Sequence, residues 1–271
     1  MDSLRAMSRD SRLPRLEMQM LWQHVLQVPR SWLIAHDTDP LAPQAVTRFR
    51  ELEARRLDGE PMAYIVGCRE FMGHEFQVSP AVLIPRPETE LLVETGLDYL
   101  KGKKAPRVLD LGTGSAAVAV SIALRCPAAT VVASDLSGEA LGVARANAKR
   151  LGAKVEFVQG SWYDALSGHK GFDLIVSNPP YIGAGDSHLQ QGDVRFEPTA
   201  ALTDGLDGLS ALRQIIDGAG QRLLSNGGLF VEHGWDQAQA VRQLLQSAGF
   251  ERVASAPDLA GIDRVTGGIY N

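Results

Sequence analysis

Cysteine is scarce in this chain: Cys68 and Cys126 are the only two among 271 residues. They lie far apart and have no metal-ligand spacing, so neither a disulfide framework nor a thiolate metal site is expected. Two idle thiols in a reducing compartment fit this usage. The histidines, His24, His36, His74, His169, His188 and His233, are scattered without metal spacing and are assigned packing or surface roles. No apolar run is long enough to span a bilayer. The opening Met1-Asp2-Ser3-Leu4-Arg5 is polar and leads into no apolar signal core. Positive charge is not in excess; the net charge of -5 argues against a broad surface for duplex nucleic acid. No internal repeat or low-complexity tract is present. The expectation is a cytoplasmic protein with no membrane contact, no metal and no stable nucleic-acid partner. What is there, 45% hydrophobic and 22% charged residues, suffices for a sizeable core or for two unequal domains.

Three stretches differ in pattern. From Leu13 to Asp58, apolar residues recur at helical spacing: Leu16, Met20, Leu21, Val25 and Leu26, then Val46, Phe49, Leu52 and Leu57. Pro40 and Pro43 punctuate between the two sets. Residues 1–60 are therefore expected to form a small helical domain. Between 61 and 86, Tyr64-Ile65-Val66-Gly67, Phe71 to Val78 and Val82-Leu83-Ile84 read as short strands with Gly and Pro turns, a β-hairpin linker. Residues 87–271 open on a helix start, Pro87-Glu88-Thr89-Glu90. From Pro106 onward strands alternate with helices. The strands are expected at 107–111, 130–134, 155–159, 172–177, 228–232, 249–255 and 264–270. Such alternation predicts an α/β fold, a seven-stranded doubly wound sheet with ligands at the carboxyl ends of the strands. His233, in Glu232-His233-Gly234-Trp235, is assigned a structural place at a strand end.

Two of those strand ends carry chemistry. Val108-Leu109-Asp110-Leu111 runs into Gly112-Thr113-Gly114-Ser115-Ala116-Ala117. The glycines permit a tight turn and close approach of a ligand to the backbone. The Gly-x-Gly-x-x-Ala spacing fits a dinucleotide fingerprint but is weak alone. Asp135 ends the next strand, where a carboxylate can accept both hydroxyls of an adenosine ribose. Asp110 favours S-adenosylmethionine over NAD, since a carboxylate before the turn repels a pyrophosphate and pairs with a cation. Asp110 as a loop-ordering carboxylate stays open beside this. Trp162 is placed either to cover the adenine or simply to pack.

The second end is Asn178-Pro179-Pro180-Tyr181. Two prolines cannot continue a helix or a central strand, so the chain leaves the sheet in a stiff extended loop. The Asn178 carboxamide oxygen and the Pro179 carbonyl can each accept one N–H of a flat –NH2 group, and the Tyr181 ring can pack beside it. A surface turn that merely contains these residues is the alternative.

The whole set of motifs resembles the bacterial protein-(glutamine-N5) methyltransferases that modify class I peptide chain release factors. The resemblance spans nearly the whole chain. It is carried by Asp58-Gly59-Glu60-Pro61, by Leu83-Ile84-Pro85-Arg86-Pro87-Glu88-Thr89-Glu90, by Asp110 to Gly114, by Val176 to Ile182, by His188 to Pro198 and by Leu229 to Trp235. The Asn-Pro-Pro-Tyr loop is shared with other amino-methyltransferases; its combination with the two flanking segments is specific. The family usually has a third glycine where this chain has Ala116. The resemblance implies a Rossmann-like methyltransferase domain, S-adenosyl-L-methionine as cofactor, and methylation of the glutamine amide in the release factor Gly-Gly-Gln motif. It implies Gly112, Thr113, Gly114, Ser115, Ala116, Asp135, Trp162 and Asn178 as cofactor-binding. Asn178, Pro179, Pro180 and Tyr181 would bind the substrate, with Asn178, Pro179 and Tyr181 carrying the chemistry and no strong base required. Arg195 and Glu197 are either a loop-fixing ion pair or contacts to the release factor. The helical domain would dock the substrate, and the enzyme would act as a monomer. Two rivals are a ribosomal-protein glutamine methyltransferase and an adenine-N6 nucleic-acid methyltransferase. A non-catalytic S-adenosylmethionine-binding adaptor is a third, against which the acceptor loop argues.

Overall fold

The computed structural model describes residues 2–166, 168, 169 and 171–271. The chain divides into two compact units, Met1–Cys68 and Arg69–Asn271. Among the described residues, no helix is long and apolar enough to cross a membrane.

The first unit is helical: α1 Leu4–Asp10, α2 Arg15–Leu26, α3 Arg30–Ala35, α4 Pro43–Leu57 and α5 Met62–Val66. Its core is built on Trp22 stacked flat against Phe49, centroids 4.2 Å apart, with Met7, Leu21, Leu33 and Leu52 around them. The face of α2 differs from the expected one. Met18, Leu21 and Trp22 point inward, whereas Leu16 is 61% exposed. The large Trp22 ring sets the helix phase. Arg56 pairs with Glu17 at 2.8 Å and ties α4 to α2. Tyr64 to Gly67, expected as strand, is the helix α5 and its cap. Pro61 precedes the first turn, and Gly67 stops the helix at φ 81°. A proline start and a glycine stop outweigh the β-branched residues between them.

Strands β1 Cys68–Phe71 and β2 His74–Gln77 form a two-stranded sheet. Met72 and Gly73 turn between them at φ 53° and 80°, the left-handed pair a tight hairpin needs. Glu90 fixes this turn by accepting the Met72 N–H at 2.6 Å. Val82 to Ile84 is not a strand; the Ile84 N–H goes to the Glu197 carboxylate at 3.0 Å instead of to a ladder.

The rest is the α/β layer: α6 Glu90–Leu100, β3 Arg107–Leu111, α7 Ala117–Arg125, β4 Thr130–Asp135, α8 Gly138–Leu151, β5 Val155–Gln159, β6 Phe172–Ser177, α9 Thr199–Leu202, α10 Ser210–Ala219, β7 Leu223–Glu232, α11 Ala238–Ser247, β8 Phe250–Pro257 and β9 Asp263–Tyr270. The seven-stranded sheet has the order β5-β4-β3-β6-β7-β9-β8, parallel from β3 to β7, with β9 antiparallel to both neighbours. Successive residues of each central strand feed opposite faces. Val108, Ala133, Leu174 and Val176 enter one core; Leu109, Leu111, Val132 and Ile175 enter the other. Burial on both faces is why these strands are nearly continuous apolar runs. The order reverses between β3 and β6, which opens a crevice beyond their carboxyl ends.

Candidate active site

That crevice holds a cavity of about 410 Å³, a size usual for small-molecule sites. Its wall includes the glycine turn after β3, Asp135 after β4, Trp162 after β5 and Asn178 after β6.

The glycine turn is held from three sides. Gly112 and Gly114 take φ of 69° and 55°. The Thr113 N–H donates to the Ser134 carbonyl at 2.9 Å. The Gly114 N–H donates to Asp135 Oδ2 at 2.8 Å, while Asp135 Oδ1 accepts from Ser137 N at 2.9 Å. A Cβ on Gly112 would only touch the Trp162 ring, at 3.4 Å; the φ of 69° is what calls for glycine at this position.

Asp110 lies beneath and is buried. One of its oxygens accepts from the Thr113 hydroxyl at 2.6 Å and from the Ala119 N–H at 3.2 Å. It thereby orders the turn and satisfies an orphan donor at the start of α7. It also reaches the cavity wall. Both readings left open by the sequence are compatible with this position. Burial pushes its carboxyl up to about 7, and Asp135 adds to the rise against the Thr113 and Ala119 hydrogen bonds.

The Asn-Pro-Pro-Tyr loop is fixed by partners distant in sequence. Asn178 Nδ2 donates to Thr89 Oγ1 at 3.1 Å. Its Oδ1 has no hydrogen-bond partner among the described residues, and the residue lines the cavity with Pro180. Tyr181 packs into the core formed by Leu109 and Ile175, and its hydroxyl donates to Glu232 Oε1 at 3.3 Å. Burial and the neighbouring Glu232 raise the Tyr181 hydroxyl well above the usual phenol range. One side chain, Gln237, clips the loop from behind. Its Nε2 donates to the carbonyls of Tyr181 at 3.0 Å and Gly208 at 3.2 Å, while its Oε1 accepts from Gly234 N at 2.8 Å. Below it, His233 Nδ1 bonds the Gly234 carbonyl at 2.9 Å, so Nε2 accepts from Thr266 at 2.7 Å. Burial lowers its pKa and keeps the ring neutral, the structural role expected of it.

Of the residues singled out from the sequence, Gly112, Thr113, Gly114, Ser115, Asp135, Trp162, Asn178 and Pro180 share the cavity wall. Pro179, Tyr181 and Ala116 lie outside it. Ala116 is fully buried at φ 63°, heading α7, with its methyl in the core. Glu197 pairs with Arg86, and Arg195 stands over the Phe196 ring at 4.9 Å. This Arg86–Glu197 clasp joins the segment before α6 to the segment before α9, and Pro85, Arg86, Pro198 and Ala201 bring both to the wall. Sequence reasoning gave no role to Thr89, Glu232 or Gln237. Thr89 was visible only as part of a helix start, and nothing local pairs it with Asn178, 89 positions away.

Known proteins match this chain in sequence and in fold. Residues 4–67 match the PrmC N-terminal domain, and residues 87–194 match the methyltransferase small domain. The release factor glutamine methyltransferase of Bordetella pertussis is 59% identical over 99% of this chain and 99% of its own. That of Neisseria gonorrhoeae is 53% identical over 96% of this chain and 95% of its own. A methyltransferase from Pyrococcus furiosus, 18% identical, superposes with a TM-score of 0.54 over 81% of this chain and 98% of its own, which shows the shared fold. With the seven-stranded sheet, the glycine turn and the Asn-Pro-Pro-Tyr loop in place, the chain belongs to the release factor glutamine methyltransferase family.

Proposed function

We propose that this chain transfers the methyl group of S-adenosylmethionine to the side-chain amide nitrogen of the glutamine in the Gly-Gly-Gln motif of class I peptide chain release factors. The placement of Asn178 carries this assignment. Its Nδ2 is held by Thr89, its Oδ1 is left as an acceptor, and it shares one cavity wall with Asp135 and the glycine turn.

The donor set fits the cofactor. Three acidic side chains, Asp110, Asp135 and Glu139, line the cavity with one cation, Arg86, and most of the rest of its surface is apolar, which suits a cationic ligand carrying ribose hydroxyls. When bound, the cofactor supplies an electrophilic methyl on a sulfonium. Gly112 to Ser115 form the backbone cradle, with Ala116 supporting it from beneath. Asp135 takes the ribose hydroxyls, and Trp162 closes the adenine side.

An amide nitrogen is a weak nucleophile because its lone pair is delocalised into the carbonyl. Asn178 Oδ1 and the Pro179 carbonyl accept its two N–H bonds, raise electron density on nitrogen and aim its lone pair at the cavity. Rate enhancement then comes from positioning and electrostatics. The proton turns acidic only after transfer, so no strong base is required. Pro180 and Tyr181 keep the loop in shape, the ring anchored in the core and the hydroxyl on Glu232.

The helical unit, with exposed Leu16 and Ile34, is assigned to docking the release factor. A folded variant lacking residues 1–60 with unchanged KM would overturn that assignment. The enzyme is assigned to the cytoplasm as a monomer. The central test is transfer of labelled methyl to a purified unmethylated release factor, beside a variant factor with Gln→Ala in its motif. Label in the first and none in the second is expected. Absence of label with the cofactor still bound would shift the acceptor to a ribosomal protein or to a nucleic acid.

A further inference from the structure

Two elements far apart in the chain close on the carbonyl of Tyr181. The first is the start of α11. Gln237 is rooted there, with its N–H on the Gly234 carbonyl at 3.1 Å and its own carbonyl accepting from Val241 N at 3.0 Å. Its side-chain amide is fully engaged. Both Nε2 hydrogens are taken, by the carbonyls of Tyr181 at 3.0 Å and Gly208 at 3.2 Å, and Oε1 accepts from Gly234 N at 2.8 Å. A flipped amide would set an oxygen against two carbonyls and an NH2 against an N–H.

The second element is the turn between α9 and α10. Asp204 accepts the N–H groups of Leu206 at 2.8 Å, Gly208 at 3.0 Å and Ser210 at 2.8 Å, which folds the turn tightly. The turn runs beside the chain that leaves the acceptor loop. Ile182 N donates to the Leu202 carbonyl and Ala184 N to the Leu206 carbonyl, each at 3.0 Å. Gly208 takes a φ of 78°, and a Cβ on it would run into the Tyr181 carbonyl oxygen and stand 2.9 Å from Gln237 Nε2. Conformation and space both call for glycine there. The Tyr181 ring, anchored in the core, fixes where the acceptor loop ends. The grip on its carbonyl fixes how the following peptide plane is turned. Only Pro179 and Pro180 separate Tyr181 from Asn178, and their locked φ makes the link stiff. A rotation at Tyr181 is therefore passed on to the Pro179 carbonyl and to Asn178 and is not absorbed between them.

We propose, resting on the acceptor role assigned to Asn178 and Pro179 above, that Gln237 is a positioning residue for methyl transfer: together with Gly208 it sets the Tyr181 peptide plane and thereby the direction in which Asn178 and Pro179 present their oxygens to the substrate amide. Neither Gln237 nor Gly208 is part of the cavity wall, so cofactor binding is independent of them.

The experiment uses the full-length protein and an unmethylated release factor. Gln237→Met keeps the side-chain length and removes all three hydrogen bonds. Gln237→Glu keeps an acceptor for Gly234 N but turns an oxygen toward the Tyr181 and Gly208 carbonyls. Gly208→Ala displaces the same carbonyl from the other side. Each should lower kcat about tenfold, the scale of a lost hydrogen bond, with KM for the factor and cofactor Kd within about twofold of wild type. Because all act on one carbonyl, Gln237→Met with Gly208→Ala should cost much less than the product of the two single losses. Urea unfolding checks that the variants are folded under assay conditions; should Gly208→Ala fail to fold, the two Gln237 variants still decide. In nitrogen NMR the Asn178 side-chain NH2 signal should move in every folded variant. Wild-type kcat in Gln237→Met or Gln237→Glu, a loss matched by an equal rise in cofactor Kd, or an Asn178 signal that stays in place overturns the proposal. A moving Asn178 signal in a protein whose wild type labels no release factor would support the grip and reject the methylation reading, so the two failures are distinct.

Discussion

Replacing Arg86 by methionine tests whether the clasp behind the cavity is held by charge. Glu197 is a carboxylate with a fully buried side chain. Oε2 accepts from Ile84 N at 3.0 Å, and Oε1 is taken by Arg86. Arg86→Met leaves Oε1 charged and unpaired in the interior. Breaking a buried pair from one side costs about 3–5 kcal/mol. Arg86 itself is 32% exposed, so water can reach the vacated space, and the lower end, about 3 kcal/mol, is expected. For a domain of this size that is a fall in Tm of roughly 6–12 °C. Glu197→Gln in the same background removes the stranded charge while an amide oxygen still accepts from Ile84. Replacing a buried pair altogether is often nearly neutral, so the double variant should recover most of the loss. Urea unfolding of the wild type, both singles and the double gives the coupling directly. The cofactor Kd should track the stability loss, because Arg86 and Pro198 lie on the cavity wall. An Arg86→Met variant within about 0.5 kcal/mol of wild type, the range of ordinary surface changes, would refute the clasp.

Asn178→Ala should lower kcat by about a hundredfold, the scale of one oriented polar group, with little change in cofactor Kd; near-normal turnover in the labelled-methyl assay would sink the amide-orienting role. Stability should depend on pH through Asp110. Its folded pKa of about 7 stands above the ordinary 3.8, so the native state keeps a proton that the unfolded chain releases. The stabilisation is complete below about pH 4 and is lost as pH rises toward about 7, by up to about 4 kcal/mol. Denaturant midpoints across this range should fall in the wild type and stay flatter in Asp110→Asn; equal slopes would refute it. Ala116→Gly relieves a left-handed alanine, a gain of about 1–2 kcal/mol, but removes a buried methyl and adds unfolded-state freedom. The terms nearly cancel, and calorimetry should find a Tm close to wild type.

The sheet was legible because each central strand is buried on both faces. Runs such as Leu174-Ile175-Val176 leave no alternative to an interior strand, and the Gly112 and Asn178 ends mark where the chain must leave it. What escaped was whatever depends on partners far along the chain. The Tyr64-Ile65-Val66 triplet looks like strand by composition, yet the Pro61 start and Gly67 stop decide for helix, since five residues have no edge to pair with. The phase of α2 escaped because Leu16 and Met20 are as apolar as Met18, and only the stacking of Trp22 on Phe49 selects the inner face. In the site the same division holds. Backbone-forming residues, glycines and prolines, announce themselves, since their constraint is local. The residues that aim the chemistry do not. Asn178 is oriented from 89 positions away by Thr89, and the loop behind it is clipped by Gln237, 56 positions from Tyr181. A polar residue at a helix start or a strand end has a satisfactory local explanation, a cap or a turn. Only the folded arrangement shows that its hydrogen bond is spent on the acceptor loop. The strong signal in the sequence is therefore for where the cavity lies, and the weak one for what turns the amide oxygen into it.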